Sequence, residues 1–91
     1  MDKPDNNKPI MEFPCEFPIK AMGLASETLH MEMLEIVQRH APETDKLALK
    51  SRPSSNGTYV SVTITISAKS RAQLDSIYLD LTACEQVLMA L

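Results

Sequence analysis

The sequence predicts an α+β fold: a ferredoxin-like βαββαβ sandwich in which two helices cover one face of a four-stranded antiparallel sheet. Residues 58–68 alternate between Val, Ile or Ala and Tyr, Ser or Thr, the pattern of a strand with one buried face. Two segments have apolar residues at helical spacing behind a serine cap, and shorter apolar runs flank them. Right-handed βαβ crossovers in this order place both helices on one face and leave the other face open.

The first strand is predicted over residues 16–22, with Gly23 as its end. Alternate residues share one apolar face: Phe17, Ile19 and Ala21. Pro14 and Pro18 exclude a helix in this segment, because proline lacks an amide hydrogen and clashes with the preceding helical turn. Pro18 inside a strand indicates either that its hydrogen-bonding side is free or that the strand begins just after it.

The two helices are predicted from their caps and their apolar stripes. Ser26 caps the first helix and Pro42 stops it, while Ser70 and Gln73 form a capping box for the second helix. The stripe of the first helix is predicted to be Leu29, Met33, Ile36, Val37 and His40. The stripe of the second helix is predicted to be Leu74, Ile77, Tyr78 and Leu81.

The second and third strands are predicted to form a hairpin. Residues 46–52 alternate, and Asn56-Gly57 is typical of a type I′ turn, which requires positive φ at both central positions. This turn pairs apolar with apolar and polar with polar residues: Leu47 with Ile66, Leu49 with Ile64, Lys50 with Thr63 and Arg52 with Ser61. A loop of odd length without a bulge would reverse the two faces. The apolar run over residues 84–91 is predicted to be the fourth strand.

The composition indicates one small domain over residues 13–91, after a disordered N-terminal tail over residues 1–12. A net charge of −3, from nine basic and twelve acidic residues, argues against non-specific nucleic-acid binding. The sequence has no apolar run near 18 residues and no secretory signal, so we expect no membrane association and no export. Cys15 and Cys84 lie far apart and outside any CxxC motif, which favours reduced thiols in a cytoplasmic protein.

The sequence contains no constellation that indicates catalysis or a cofactor. His30 and His40 lie on one helix, about 15 Å apart along its axis, so they cannot share a metal ion. No serine lies in a nucleophile elbow, and the segment after the first strand has neither a paired-cysteine loop nor a Gly-rich anion loop. RNA-recognition modules of this topology stack bases on aromatic residues, whereas the third strand offers only Tyr59. We therefore expect no enzymatic activity, no cofactor and no nucleic-acid partner.

The stretch RPSSNGTY, residues 52–59, has two interpretations. As a hairpin turn it sets which residues face each other across the pair. As a binding loop it presents hydroxyl and amide groups to an anion, with a cation nearby. The side chains that would take part are Lys50, Arg52, Ser54, Ser55 and Asn56. The turn explains the loop as a whole, but it does not by itself require Arg52 or the two serines.

The open face of the sheet is the second candidate surface. Its predicted residues, including the rim, are Lys20, Met22, Lys50, Arg52, Tyr59, Ser61, Thr63 and Thr65. This mixture of cationic, hydroxyl and apolar side chains suits either sheet-to-sheet self-association or docking of a partner protein.

Five blocks carry a resemblance to a known family. They are "FPCEFPIKAMG" (13–23), "VQRHAP" (37–42), "RPSSNGTYVSVTITISA" (52–68), "QLDSIYLDL" (73–81) and "VLMAL" (87–91). Together they resemble the YbeD-like family of small bacterial proteins, over about residues 12–91. The resemblance implies the fold of the regulatory ACT domain, which binds amino acids at a subunit interface. By analogy, a ligand would lie near Met22, Gly23 and Leu24, at the interface of a homodimer.

Two hypotheses for the function remain open at this point. In the first, the protein is a non-enzymatic regulatory or ligand-sensing module that acts in trans, with a small-molecule effector. In the second, it is a ligand-free interaction domain that docks a partner protein through the open sheet face or through the hairpin at residues 53–58.

Overall fold

A computed structural model describes residues 12–90 and confirms the predicted fold class. A four-stranded antiparallel sheet has the strand order β2-β3-β1-β4, and two helices pack on one face of it. The elements are β1 (Cys15–Leu24), α1 (Glu27–His40), a 3₁₀ turn (Lys46–Ala48), β2 (Leu49–Pro53), β3 (Tyr59–Ala68), α2 (Arg71–Ala83) and β4 (Val87–Ala90). The predicted N-terminal tail lies outside the described residues except for Glu12, and so does Leu91.

The core lies between the helices and one face of the sheet. The fully buried side chains from the strands include Ile19, Ala21, Val62 and Ile64. Those from the helices include Leu29, Met33, Val37, Ile77 and Leu81. The predicted stripes supply the core except for His40 and Tyr78, which are half-buried, and the alternate residues of β3 face away from the helices.

The helix caps form as the sequence predicts, with one difference in the second. The Ser26 hydroxyl accepts a hydrogen bond from the Leu29 amide, and the Ser70 hydroxyl accepts one from the Gln73 amide. The Gln73 side chain does not return to the amide of Ser70. It accepts instead from the amide of Lys69, one residue earlier, at 2.7 Å.

Strand β1 extends beyond the predicted residues 16–22 at both ends, since it begins at Cys15 and continues through Gly23 to Leu24. Pro18 lies inside the strand. The Lys20 amide donates a hydrogen bond to the Tyr78 hydroxyl. This amide therefore points away from β3. Alternate residues of a strand direct their amides to the same side, so the Pro18 nitrogen also faces outward. Within residues 12–90, strand β4 pairs with Ala21–Gly23 and does not reach Pro18, so the missing N–H of Pro18 removes no ladder bond there.

Strand β2 is shorter than predicted, and the prediction that Leu47 faces Ile66 is wrong. The Asp45 side chain accepts a hydrogen bond from the Leu47 amide at 2.8 Å, and the Asp45 carbonyl accepts one from the Ala48 amide. These bonds close a 3₁₀ turn, which leaves Leu47 77% exposed. The predicted pairs from Leu49 onward are all present: Leu49 with Ile64, Lys50 with Thr63 and Arg52 with Ser61.

The hairpin loop keeps the predicted register but not the predicted turn. The Ser54 amide donates to the Tyr59 carbonyl, and the Gly57 amide donates to the Ser54 carbonyl, so Ser55 and Asn56 form the turn. Gly57 alone supplies the positive φ, at 76°. Both loops have an even number of residues, so both put the same residues on the same face.

Candidate functional site on the open face of the sheet

Two rows of side chains cross the open face from β1 through β3 to β2. In the first row, Thr63 lies between Lys20 and Lys50, and in the second row Ser61 lies between Met22 and Arg52. Paired residues of antiparallel strands project to the same side, so both rows are exposed to the surface that the helices leave free. We call Lys20, Lys50 and Arg52 the cationic patch.

The cationic patch is unpaired within the part of the chain that the structure describes. No carboxylate in residues 12–90 lies within ion-pairing distance of its three side chains. Its members line an open depression together with Ser61 and Thr63, whose hydroxyls lie between them. Cations and hydroxyls in this arrangement suit the binding of carboxylate oxygens.

An apolar pocket of about 190 Å³ adjoins the cationic patch at the end of β2. Met22, Pro53 and Tyr59 supply its apolar walls, and Arg52 and Ser54 stand at its edge. We call this cavity the β2-end pocket. It has room for one apolar side chain and has a charged group beside it.

Exposed apolar side chains extend the β2-end pocket across β1 toward β4. Leu24 pairs with Tyr59, and Met89 pairs with Met22, so all four lie on the open face. Leu24 is 55% exposed and Met89 is 52% exposed. The open face is therefore cationic along β2 and apolar at the end of β1.

The loop beside the pocket is held by its own polar groups. The Asn56 side-chain oxygen accepts hydrogen bonds from the Ser54 hydroxyl at 3.0 Å and from the Thr58 amide at 3.1 Å. The Ser54 hydroxyl in turn accepts from the Tyr59 amide. These bonds occupy two of the predicted binding side chains in the turn itself.

The hairpin also contacts the turn between β1 and α1. The Ala25 amide donates a hydrogen bond of 3.0 Å to the Thr58 carbonyl. This bond brings the two regions named as candidates, residues 22–24 and residues 52–59, to one end of the sheet. Of the predicted loop residues, Arg52, Ser54 and Tyr59 line the β2-end pocket. Ser55 is exposed and forms no hydrogen bond with another described residue.

Gly23 lies on the opposite side of the sheet from Met22 and Leu24. It is buried, and a Cβ atom at this position would overlap the Gln86 carbonyl and press on the Leu29 side chain. A glycine is therefore required here by the close approach of the chain that leads into β4. On the covered side of the sheet, the space next to Gly23 is occupied by the Gln86 carbonyl and the Leu29 side chain.

The helix side contains a groove between α1 and α2, and four of the eight residues that line it are acidic. In it, the Cys84 thiol donates a hydrogen bond of 3.1 Å to the Glu32 carboxylate. Burial and this contact with Glu32 raise the pKa of the Cys84 thiol, which disfavours the thiolate. No group of three or more His, Cys, Asp or Glu side chains that could hold a metal ion occurs within residues 12–90.

Asp80 joins the two helices at the end of this groove. Its carboxylate lies 2.7 Å from His40 Nε2 and accepts a hydrogen bond from Arg39 at 3.2 Å. The hydrogen bond with His40, aided by the charge of Arg39, lowers the pKa of Asp80. Nδ1 of the other histidine, His30, lies 2.9 Å from the Ser26 carbonyl oxygen. Both histidine side chains thus form contacts within the domain.

The sequence alone left two residues of this site unnamed. Pro53 read as part of a turn, but the structure places it at the end of β2 against the pocket. Met89 lay in a run of apolar residues that shows no alternation. Its face depends on the register shift between Met22 and Gly23 where β4 pairs with β1, and no pattern in the sequence marks that shift.

The architecture defines a class of protein, a two-layer βαββαβ module with one sheet face open. Within residues 12–90, neither helix is long and apolar enough to cross a membrane. The solution structure of protein HP0495 from H. pylori has the same fold, with a TM-score of 0.73 over 96% of this chain and 91% of that chain. The two sequences are 16% identical, so this similarity concerns the fold alone.

The family follows from sequence comparisons. A family model described as a protein of unknown function (DUF493) matches residues 8–91. A UPF0250 protein of Ectopseudomonas mendocina is 44% identical and one of Neisseria gonorrhoeae is 38% identical, both over the full length of the two chains. One of Nitrosomonas europaea is 48% identical over 76% of this chain and 79% of the relative. The chain belongs to the DUF493/UPF0250 family, which confirms the YbeD-like resemblance.

Proposed function

We propose that this protein is a non-enzymatic regulatory module of the cytoplasm that acts in trans, by docking onto another protein through its open sheet face. The observation that carries the proposal is the cationic patch beside the β2-end pocket. Among the described residues the patch has no carboxylate partner, and it lies on a face that no helix covers. Unpaired charge next to exposed apolar surface is what a partner of complementary chemistry would bind.

The fold does not require these side chains. The core lies on the other face, where Ile64 and its neighbours pack under the helices, so threonine or serine at all positions of the open face would complete the sheet equally well. Three cations whose Cα atoms lie about 7 to 12 Å from one another also repel. The stability of the fold does not explain this cluster of cations, whereas a role in binding does.

The chemistry of the titratable groups supports a function without catalysis. The Cys84 thiol donates to Glu32 and its raised pKa makes it a weak nucleophile. His40 and Asp80 contact each other on a surface between the helices. Neither pair lies beside the open face. The two free cysteines suit a reducing compartment, which supports the cytoplasmic location.

Docking accounts for the surface better than sensing of a small effector does. On the covered side of Gly23, the Gln86 carbonyl occupies the space that a ligand at this turn would need. On the open side, the depression over the cationic patch has about 350 Å³, but its lining residues are all polar or charged, whereas small-molecule pockets are mostly apolar. The β2-end pocket is apolar but has about 190 Å³, below the roughly 300 Å³ at which typical small-molecule pockets begin. One side chain of a partner fits this volume better than a whole effector does.

Site-specific photo-crosslinking in cells of the native host tests the docking function. A photoreactive phenylalanine analogue replaces Thr65 on the open face in one variant, and Leu79 on the exposed side of α2 in a matched variant. We expect a discrete crosslinked partner from the Thr65 position, and its loss when the cationic patch is changed to glutamine. The same partner captured equally from the Leu79 position would contradict docking through the sheet.

A further inference from the structure

The cationic side chains and the pocket lie in line along β2. Lys50 and Arg52 both project from the open face, and alternate residues of a strand are about 7 Å apart. The β2-end pocket begins beside Arg52 and continues to Ser54 and Tyr59, one step further in the same direction. The surface therefore presents a cation, a second cation and an apolar pocket at the period of an extended chain.

A segment in extended conformation has the same period of two residues. If it lies along this line, its residues i, i+2 and i+4 meet Lys50, Arg52 and the β2-end pocket in turn. Lys20 stands across Thr63 from Lys50, about 10 Å away, and adds to the positive potential around the first two positions.

We propose that the docking partner binds this face with an extended acidic segment that has carboxylates at positions i and i+2 and an apolar side chain at i+4. This inference rests on the proposed docking function and specifies the chemistry of the partner. The carboxylates accept from Lys50 and Arg52, and the apolar side chain enters the pocket between Met22, Pro53 and Tyr59.

Protection of a sheet edge does not explain the arrangement. Lysine, arginine and proline on an edge strand prevent sheets from pairing, and β2 is such a strand. Lys20, however, belongs to β1, where Tyr78 from α2 already covers the outer edge at this point. Edge protection also has no use for an apolar pocket that continues the line of charges.

A second copy of the chain is a poorer match than an acidic segment. A face-to-face pair whose two-fold axis passes through the cationic patch would bring like charges together. Among the described strand residues of the open face, the only carboxylate is Glu16, at the end of β1 away from the β2-end pocket. The chain does contain the proposed spacing once, in Glu43, Asp45 and Leu47. There, Glu43 binds Lys69 at 2.6 Å, and Asp45 caps a 3₁₀ turn, so this segment is neither extended nor free.

Synthetic peptides test the spacing and the chemistry directly. The probe is a fluorescein-labelled peptide Gly-Glu-Ser-Glu-Ser-Leu-Ser-Gly, titrated with the full chain by fluorescence anisotropy at 50 mM and 300 mM NaCl. Three control peptides replace the leucine by serine, replace both glutamates by lysine, or place the two glutamates in adjacent positions. We expect the probe to bind about tenfold more tightly than each control, and several-fold more weakly at the higher salt concentration.

Two triple variants with equal change of net charge assign the binding to the face. Lys20→Gln, Lys50→Gln and Arg52→Gln together should weaken probe binding about tenfold or more. Lys46→Gln, Lys69→Gln and Arg71→Gln together should leave it within about twofold. All six side chains lie on the surface, so we expect both variants to fold. Circular dichroism and urea unfolding check this.

The outcomes separate this inference from the docking function on which it rests. Absence of probe binding, equal binding of any control peptide, or tighter binding of a single-stranded RNA 8-mer overturns the acidic segment. Self-association of the chain in sedimentation, lost in the cationic-patch variant, overturns it in favour of a second copy. If photo-crosslinking from Thr65 still captures a partner, docking stands with a different chemistry. If crosslinking fails as well, both proposals fall.

Discussion

The two faces of the sheet differ in what determines their residues. On the covered face, Ile19, Val62 and Ile64 are fully buried under the helices, and each position is fixed by packing. On the open face, the alternate positions of the same strands carry Lys20, Ser61 and Thr63, whose side chains project away from the helices. Where packing determines a residue, the fold explains it. Where packing is absent, as at the cationic patch, binding to a partner explains the residues better than the fold does.

The charges show the same contrast. On the helix side and its connecting loops, three of the four described lysines and arginines have carboxylate partners: Arg39 with Asp80, Lys69 with Glu43 and Arg71 with Asp75, whereas Lys46 in the 3₁₀ turn has none among the residues described. On the open face, the cationic patch has none among the residues described. The protein as a whole is acidic, with a net charge of −3, so a local concentration of unpaired cations runs against its composition.

The largest expected effect compares two neighbouring residues of β3. Ile64→Ala should lower the free energy of unfolding by about 2–5 kcal/mol, because it leaves a cavity between the sheet and the helices. Thr63→Ala, one residue away on the open face, should change it by about 0.5 kcal/mol or less. Urea unfolding of both variants measures the difference. Equal losses would show that the open face also contributes to packing.

A smaller loss of stability is expected from a substitution at Gly23, which lies on the covered face between the open-face residues Met22 and Leu24. Gly23→Ala should lower the free energy of unfolding by about 1–3 kcal/mol, because the added Cβ meets the Gln86 carbonyl and β4 must shift. Gly57→Ala is the matched control: nothing lies within 4 Å of its added Cβ, so only the positive φ opposes it, by about 1 kcal/mol. Hydrogen exchange of the β4 amides locates the damage. Protection in β4 unchanged by Gly23→Ala would count against this contact.

The smallest expected effect concerns the paired charges of the helix side. Because His40 and Arg39 hold the pKa of Asp80 below its ordinary value of 3.8, the Asp80 carboxylate stabilises the folded chain above about pH 4. That contribution is lost as the pH falls through the lowered pKa. Asp80→Asn should therefore be less stable than the wild type at pH 7, and the gap should narrow below pH 4.

Unfolding midpoints at a series of pH values from 7 to 3 measure this gap. Asp75→Asn is the control, since Asp75 forms only an exposed contact of 3.6 Å with Arg71 along one helix and such pairs contribute little. A gap for Asp80→Asn that stays constant with pH would show that the link between the helices does not depend on the carboxylate charge.

Much of the fold could be predicted because its signals are local. The serine caps, the stripe of α1 and the alternation of β3 depend on neighbouring residues, and each element appears where expected. The predictions were wrong where local hydrogen bonds favoured a different structure from the one that the residue pattern indicated. Asp45 drew Leu47 into a 3₁₀ turn, and the turn of the hairpin formed at Ser55 and Asn56 instead of at Asn56-Gly57.

The candidate site was predictable in its parts but not in its arrangement. The sequence named Met22, Arg52 and Tyr59 as separate candidates, and the pairing of strands brings them to one pocket. It also named Gly23 as part of a ligand site, and this role remains a prediction that the close approach of Gln86 does not favour. Ser54 and Asn56 were named as binding groups, but their hydrogen bonds are used within the loop.

In β1, β3 and the two helices, the sequence by itself determined which face is buried and which faces the solvent, because period and polarity are properties of consecutive residues. It also determined the register of the hairpin, because only an even loop keeps apolar residues opposite one another. The tertiary structure alone decided that Lys20 from β1 lies beside Lys50 from β2, and that Pro53 and Met22 close one pocket. These contacts join residues far apart in the chain, and no local pattern records how strands order themselves in a sheet.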